Sequence, residues 1–140
     1  MQSTSSALLS GAIVTILSLG ACGSGTGPTV SLGTEFLLAP TQSATLAGTD
    51  LAVRVDSVTA DTRCPMGVLC IVAGDANIYL SVLRGKRMPT PTLFHVSSAP
   101  ASVANGAELI ELVALEPFRR LQVDIKPEEY RVRLIVRSRT

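Results

Sequence analysis

Tryptophan is absent from this sequence and the other aromatic residues are few, since phenylalanine and tyrosine together make up 4% of the chain. A hydrophobic core must therefore be filled by valine, leucine, isoleucine and alanine, and the hydrophobic fraction of 46% allows this. The shortage also leaves few flat side chains on which sugars or nucleic-acid bases stack. The composition thus disfavours a protein that recognises its ligand by stacking.

A strong net charge is lacking as well, because the chain contains 12 Lys and Arg residues and 11 Asp and Glu residues. A formal charge of +1 does not predict a nucleic-acid partner. The distribution is uneven, however: residues 35–118 carry five basic and eight acidic side chains, whereas residues 119–140 carry seven and three. The positive charge is therefore expected in the last strands.

Residues 1–34 contain no charged side chain. Within them, Ala7 to Leu19 forms an apolar run of 13 residues, which is shorter than the ~20 residues that a membrane-spanning helix needs. A run of this length is typical of a signal peptide, although Met1 to Ser6 lack the Lys or Arg with which such peptides usually begin. We therefore expect export from the cytoplasm.

The apolar run ends at Leu19-Gly20-Ala21-Cys22, which resembles the lipobox of bacterial lipoproteins. The resemblance implies that residues 1–21 are a signal peptide, and that Cys22 is lipidated and becomes the mature N-terminus, anchoring the chain to a membrane. Residues 22–33 are rich in Gly and Ser and read as a tether rather than a nucleotide-binding loop, because no strand precedes them. A non-lipidated signal peptide cut nearby and an uncleaved anchor remain alternatives.

The remaining residues, 34–140, predict one all-β domain. Removal of 21 residues from 140 leaves 119, a size that fits one core, and apolar residues alternate with period two in short segments. The predicted strands are Thr34–Ala39, Ser43–Leu46, Leu51–Thr59, Ile71–Leu83, Leu93–Val96, Glu108–Leu115, Leu121–Ile125 and Tyr130–Val136. Seven or eight short strands separated by turns favour an antiparallel β-sandwich. The inward face of Glu108–Leu115 is not decided by its pattern.

Two cysteines, Cys64 and Cys70, lie in the loop between two predicted strands. Pro65 and Gly67 favour a sharp reversal, so in an oxidising compartment we expect a disulfide bond between them. The alternatives are a redox pair, which is more often spaced Cys-x-x-Cys, and a soft-metal site that also uses Met66.

The segment Asp61-Thr62-Arg63-Cys64-Pro65, with Cys70 and Val72-Ala73-Gly74 after it, resembles the signature of a family of uncharacterised bacterial exported lipoproteins. In that signature Asp-Ser-Arg-Cys-Pro precedes a second Cys and a Trp-Ala-Gly segment. Thr62 replaces the Ser and Val72 replaces the Trp in this chain. The resemblance extends loosely over residues 35–137 and implies the fold and the compartment, but no activity.

No catalytic pattern stands out. His95 is the single histidine and no Gly-x-Ser-x-Gly nucleophile motif is present, so His95 is interpreted as an ordinary surface or strand residue. Glu108, Glu111 and Glu116 carry carboxylates of the kind used in acid and base chemistry, but nothing in the sequence fixes two of them at a working separation. We predict no catalytic site, cofactor or resident metal.

The last predicted strand carries Arg131, Arg133, Arg137 and Arg139 on one face. This row of arginines suits the phosphate or carboxylate groups of a lipid, a glycan or an envelope protein, unless neighbouring acidic residues neutralise it. The sequence thus predicts a lipid-anchored envelope protein that faces the periplasm and acts as a non-catalytic binding or structural module. A carrier of a small ligand or a soft metal is the alternative.

Overall fold

The computed structural model describes residues 27–99 and 101–139. The predicted signal peptide and Cys22 lie outside these residues. The described strands are β1 (Thr29–Val30), β2 (Glu35–Leu38), β3 (Ser43–Leu46), β4 (Leu51–Thr59), β5 (Asn77–Arg84), β6 (Thr90–His95), β7 (Ala101–Asn105), β8 (Glu108–Glu116) and β9 (Arg131–Ser138). Short 3-10 turns lie at Val96–Ser98 and Pro127–Glu129.

The strands form two sheets, and the predicted all-β sandwich is confirmed. One sheet has the order β1-β3-β4-β5-β6 and the other has the order β2-β9-β8-β7. All neighbouring strands are antiparallel except β1, which pairs in parallel with β3. Because Thr29 lies beside Thr45, the later part of the predicted tether is joined to the first sheet.

The core lies between the two sheets and is almost entirely aliphatic. Alternate residues of each long strand point inward, as in Ile78, Leu80 and Val82 of β5, which are at most 2% exposed. The corresponding positions of β9 are Val132, Leu134 and Val136, all fully buried. The period-two pattern of the sequence thus reports which face of each strand is covered.

Bulges shift that pattern in the two longest strands. In β8 the register slips between Leu112 and Ala114, so Ile110 and Leu112 before the slip and Leu115 after it all point inward. An odd-numbered and an even-numbered position on one strand can share a face only where an extra residue is inserted. This insertion is the reason that the sequence pattern of β8 did not decide its inward face.

Two predicted strands are wrong in whole or in part. The segment Leu121–Ile125 is not a strand, because Gln122 has a φ of 59° and only an isolated bridge between Arg120 and Val123 is formed. The long strand predicted from Ile71 begins only at Asn77, and the residues before it belong to the loop that contains the cysteines. Strands β1 and β7 were not predicted, since β1 has two residues and β7 consists of small and polar side chains with one valine.

We call the two ends of the sandwich the loop end and the turn end. At the loop end, β4 ends at Thr59 and β5 begins at Asn77. The connection between them, residues 60–76, is called the disulfide loop below, and the connection between β8 and β9 lies at the same end. At the turn end, β5 finishes at Arg84, which hydrogen bonds to Asn105 in the other sheet.

Candidate functional site

Arg63 joins the disulfide loop to the opposite sheet. Its guanidinium group forms a two-pronged pair with Asp61, with Nε to Oδ1 at 2.8 Å and Nη2 to Oδ2 at 2.7 Å. The same group donates to the carbonyl oxygens of Leu115 at 2.6 Å and Pro117 at 3.0 Å, at the end of β8 and just after it. Both side chains of the pair are shielded, with 12% of Arg63 and 7% of Asp61 exposed. The pair therefore crosslinks the two sheets at the loop end.

Tyr130 completes this network from the other side. Its hydroxyl donates to Asp61 Oδ2 at 2.9 Å. Burial alone raises the pKa of Asp61, but the hydrogen bonds from Arg63 and Tyr130 outweigh it and leave that pKa below its ordinary value. Burial, together with the bond to Asp61, raises the pKa of Tyr130 to about 12. The network therefore holds Asp61 charged and Tyr130 neutral over the physiological range.

A second network fixes the point at which the disulfide loop returns to the sheet. Asp75 Oδ1 accepts a hydrogen bond from the backbone N–H of Ser97 at 2.8 Å, and Asp75 Oδ2 lies 2.7 Å from His95 Nδ1. The bond from Ser97 is the main reason that the pKa of Asp75 is lowered to about 2, although burial opposes it and the bond to His95 adds to it. His95 is thus a strand residue at the surface, 48% exposed, that helps to hold a loop.

Cys64 and Cys70 lie at bonding distance, with their Sγ atoms 2.04 Å apart. Their Cα atoms are 6.0 Å apart, within the usual range for a disulfide bond. In this state neither sulfur is a thiolate, so the predicted soft-metal alternative keeps only Met66 of its three proposed ligands. Within the part of the chain that the structure describes, no group of three His, Cys, Asp or Glu residues is placed to hold a metal ion.

An apolar surface covers the loop end beyond these networks. Leu69 and Ile71 are fully exposed at 102% and 105%, and Val72 is 77% exposed. The disulfide loop and the connection after β8 touch there, because the backbone N–H of Met66 donates to the carbonyl oxygen of Arg119 at 2.9 Å. Phe118 continues the apolar surface on that connection and is 62% exposed.

A cleft of about 580 Å³ lies between these two loops. Apolar side chains and a few charged groups line it together, among them Met66, Phe118, Val123, Ile125, Arg120 and Glu129. Several large apolar side chains exposed near a cleft are characteristic of contact with a lipid, a ligand or another protein. The loop end is therefore the best candidate for a functional surface among the described residues.

The three candidate acids are placed apart, and each contacts an arginine. Glu108, 8% exposed, pairs with Arg84 at the turn end. On the outer face of the second sheet, Glu111 lies 2.9 Å from Arg137, and Glu116 pairs with Arg133. These contacts hold strands together, and Glu116 is the one of the three acids that also borders the cleft described above.

The predicted arginine row is present on the outer face of β9, and carboxylates neutralise it in part. Arg133 lies between Glu116 on β8 and Glu35 on β2, with the Glu35 contact at 3.7 Å. Arg131 donates to the backbone carbonyls of Glu128 and Tyr130, and Arg139 is exposed at the end of the strand. An anionic partner would have to compete with these pairs, so binding by the row remains a prediction.

Sequence reasoning missed the role of Arg63 and the apolar loop surface. The partners of Arg63 at Leu115 and Pro117 are 52 and 54 residues away, so no local pattern could reveal them. A signal did exist for the apolar surface: residues 66–74 contain no charged side chain. The apolar run from Ile71 also predicts a strand, however, so the sequence does not indicate that these residues are exposed.

Comparisons with protein-family models, with curated proteins and with solved structures found no match for this chain. Among residues 27–99 and 101–139, no helix has the length and apolar character needed to cross a bilayer.

Proposed function

We propose that this chain is a lipid-anchored protein of the bacterial cell envelope, exported to face the periplasm, and that it acts by binding an envelope component rather than by catalysis. The observation that carries the proposal is the pairing of Cys64 and Cys70 at bonding distance. Disulfide bonds persist in oxidising compartments outside the cytoplasm. This location agrees with the uncharged, apolar N-terminal segment that ends at Cys22.

The arrangement of charged side chains supports binding over catalysis. Asp61, Glu108 and Glu116 are each engaged by an arginine at contact distance. Such groups serve the fold, whereas a general acid or base needs a partner within reach in a substrate cleft. The cleft of about 580 Å³ at the loop end borders Glu116, but Arg133 pairs with that carboxylate.

The proposal is tested by labelling the protein with a fatty-acid analogue in a bacterial host and separating membranes from the soluble fraction. The wild-type chain should carry the label and sediment with the membranes, and the Cys22→Ser variant should lose the label. Cys64→Ser is the matched control, because it removes a different cysteine and should leave labelling intact.

A wild-type chain that stays unlabelled in the cytoplasmic fraction would contradict the proposal. Counting thiols in the purified protein adds a second readout, since the proposed state has Cys64 and Cys70 bonded to each other. Free thiols at both positions together with bound copper or zinc would favour the soft-metal carrier instead.

A further inference from the structure

The tip of the disulfide loop is unusually apolar for an exposed loop. Residues 66–74 contain Met, Val, Leu, Ile, Ala, Gly and the bonded Cys70, with no hydroxyl, amide or charged side chain. Leu69, Ile71 and Val72 nevertheless point into solvent with exposed fractions of 102%, 105% and 77%. Turns and loop tips usually carry polar residues, so these side chains are suited to burial against an apolar surface.

The two arms of the disulfide loop are also joined near the base of the tip. The Cys64–Cys70 bond closes its base, and Thr62 and Asp75 join the two arms through a backbone hydrogen bond of 2.7 Å. Gly74 has a φ of 64°, a backbone conformation that favours glycine. A Cβ atom added at this residue would lie 1.9 Å from the carbonyl oxygen of Thr62, so only glycine fits. A loop whose arms are joined in this way loses less conformational entropy than an open loop when it is buried against a partner.

The start of the described chain lies on the same side. The strand β1 runs from the loop end towards the turn end, so Gly27 is on the loop-end side of β1, against the backbone of Ser43. Ser43 is paired with Arg54, and from there β4 continues five residues to Thr59, a length of ~17 Å. The five residues from Cys22 to Gly27 span at most ~18 Å. Fully extended, these five residues are thus able to bring an anchor on Cys22 to the level of Thr59, where β4 ends.

We infer that the loop end rests on the lipid bilayer that holds the anchor, with Leu69 and Ile71 inserted at the boundary between headgroups and acyl chains. Phe118 on the neighbouring connection is also exposed and lines the cleft beside Met66. This inference rests on the proposed lipid anchor at Cys22. Apolar side chains that insert in this way enter the interface to a depth of ~5–10 Å.

The charges around the tip indicate which force drives the contact. Residues 117–130 carry three basic side chains, Arg119, Arg120 and Lys126, and three acidic ones, Asp124, Glu128 and Glu129. With 3 − 3 = 0 net charge, this rim gains little from anionic lipids. Insertion is therefore driven by the apolar side chains, and it should be insensitive to salt and to the fraction of anionic lipid.

The absence of tryptophan makes a direct test possible, because one introduced tryptophan is the only one in the chain. The mature lipoprotein is reconstituted in phosphatidylcholine vesicles whose acyl chains carry bromine, a quencher of tryptophan emission. The variant Leu69→Trp reports on the tip, and Ile71→Trp repeats the test at a second site in case the first disturbs folding. Met88→Trp is the matched control, because Met88 is 87% exposed at the turn end.

The inference predicts that brominated lipid removes most of the emission of Leu69→Trp and Ile71→Trp and shifts their spectra to the blue, while Met88→Trp keeps its emission. Tip variants that float with the vesicles but stay unquenched overturn the inference, whereas their flotation still supports the proposed lipid anchor. A blue-shifted, unquenched signal that disappears on dilution points to a second copy covering the tip, and also overturns it. If the protein does not float and its intact mass shows no acyl groups, both the proposed anchor and this inference are contradicted.

Discussion

Arg63 shows how a single side chain determines the shape of the loop end. Its guanidinium group donates to both oxygens of Asp61 and to two carbonyls of the opposite sheet. A lysine has a compact ammonium group and cannot reproduce this forked geometry. The Asp-Thr-Arg segment of the sequence therefore has a structural role, which is to attach the disulfide loop to the end of β8.

We predict that Arg63→Lys lowers the free energy of unfolding by about 2 kcal/mol, because charge-assisted hydrogen bonds at a shielded site are lost. Arg54→Lys is the control: Arg54 pairs with Asp56 at the surface and is 51% exposed, so its loss should cost less than about 0.5 kcal/mol. Urea denaturation of the two variants measures both values. Equal costs would contradict the crosslinking role of Arg63.

The contribution of a second residue, Asp75, to stability can be tested by varying the pH. Its pKa is lowered from 3.8 to about 2 in the folded chain, so folding favours the charged form. The stabilisation is present above the unfolded pKa and disappears as pH falls through the folded value. The stability difference between wild type and Asp75→Asn should therefore narrow between pH ~4 and ~2, as followed by urea denaturation. A difference that stays constant across this window would count against the hydrogen bonds from Ser97 and His95.

At the scale of elements, the sequence predicts strands well where one face is buried and no residue is inserted. The alternation in β5 and β9 identified their inward residues, such as Leu80 and Leu134. The bulge in β8 obscured the same alternation. Elsewhere, exposed apolar residues alternate with polar ones and predict a strand that does not form. Leu121 and Val123 alternate with polar residues but are 62% and 51% exposed, so no core holds them in an extended strand.

The candidate site was less predictable than the strands, for a physical reason. Its sulfur pair is only six residues apart and was found from spacing and turn residues. The apolar tip depends instead on where the chain leaves the sheet, which is set by long-range contacts of Arg63 and by the backbone of Gly74. Such contacts leave no periodic pattern in the sequence.

The two loop glycines allow a matched prediction. Gly67 and Gly74 both have positive φ, at 77° and 64°, but nothing lies within 4 Å of a Cβ at Gly67. Gly67→Ala should cost ~1–2 kcal/mol from the left-handed backbone alone. Gly74→Ala should cost clearly more, because its Cβ meets the Thr62 carbonyl. Thermal or urea unfolding checks the order, and a larger loss at Gly67 would show that the arms of the loop are not packed as described.

Removal of the disulfide tests the loop as a unit. The bond closes a short loop, so replacing both Cys64 and Cys70 by serine should lower stability by about 2 kcal/mol. The same loss should follow addition of a reductant to the wild-type protein, and the double variant should be insensitive to it. A wild-type protein that is equally insensitive would indicate that the bond does not form.

At the scale of the whole molecule, one end of the sandwich differs from the other. The loop end carries the disulfide, an apolar tip and a cleft, whereas the turn end carries a charged cluster around Arg84. The strand β1 places the start of the described chain towards the loop end. This polarity suits a protein that is held to a surface at its N-terminus.

The most direct test of the proposed anchor is the intact mass of the native protein extracted from membranes, measured without reductant. We predict a chain that begins at Cys22, carries the added mass of acyl groups, and lacks two hydrogens because Cys64 and Cys70 are bonded. A mass equal to that of all 140 residues, unmodified and fully reduced, would contradict the account.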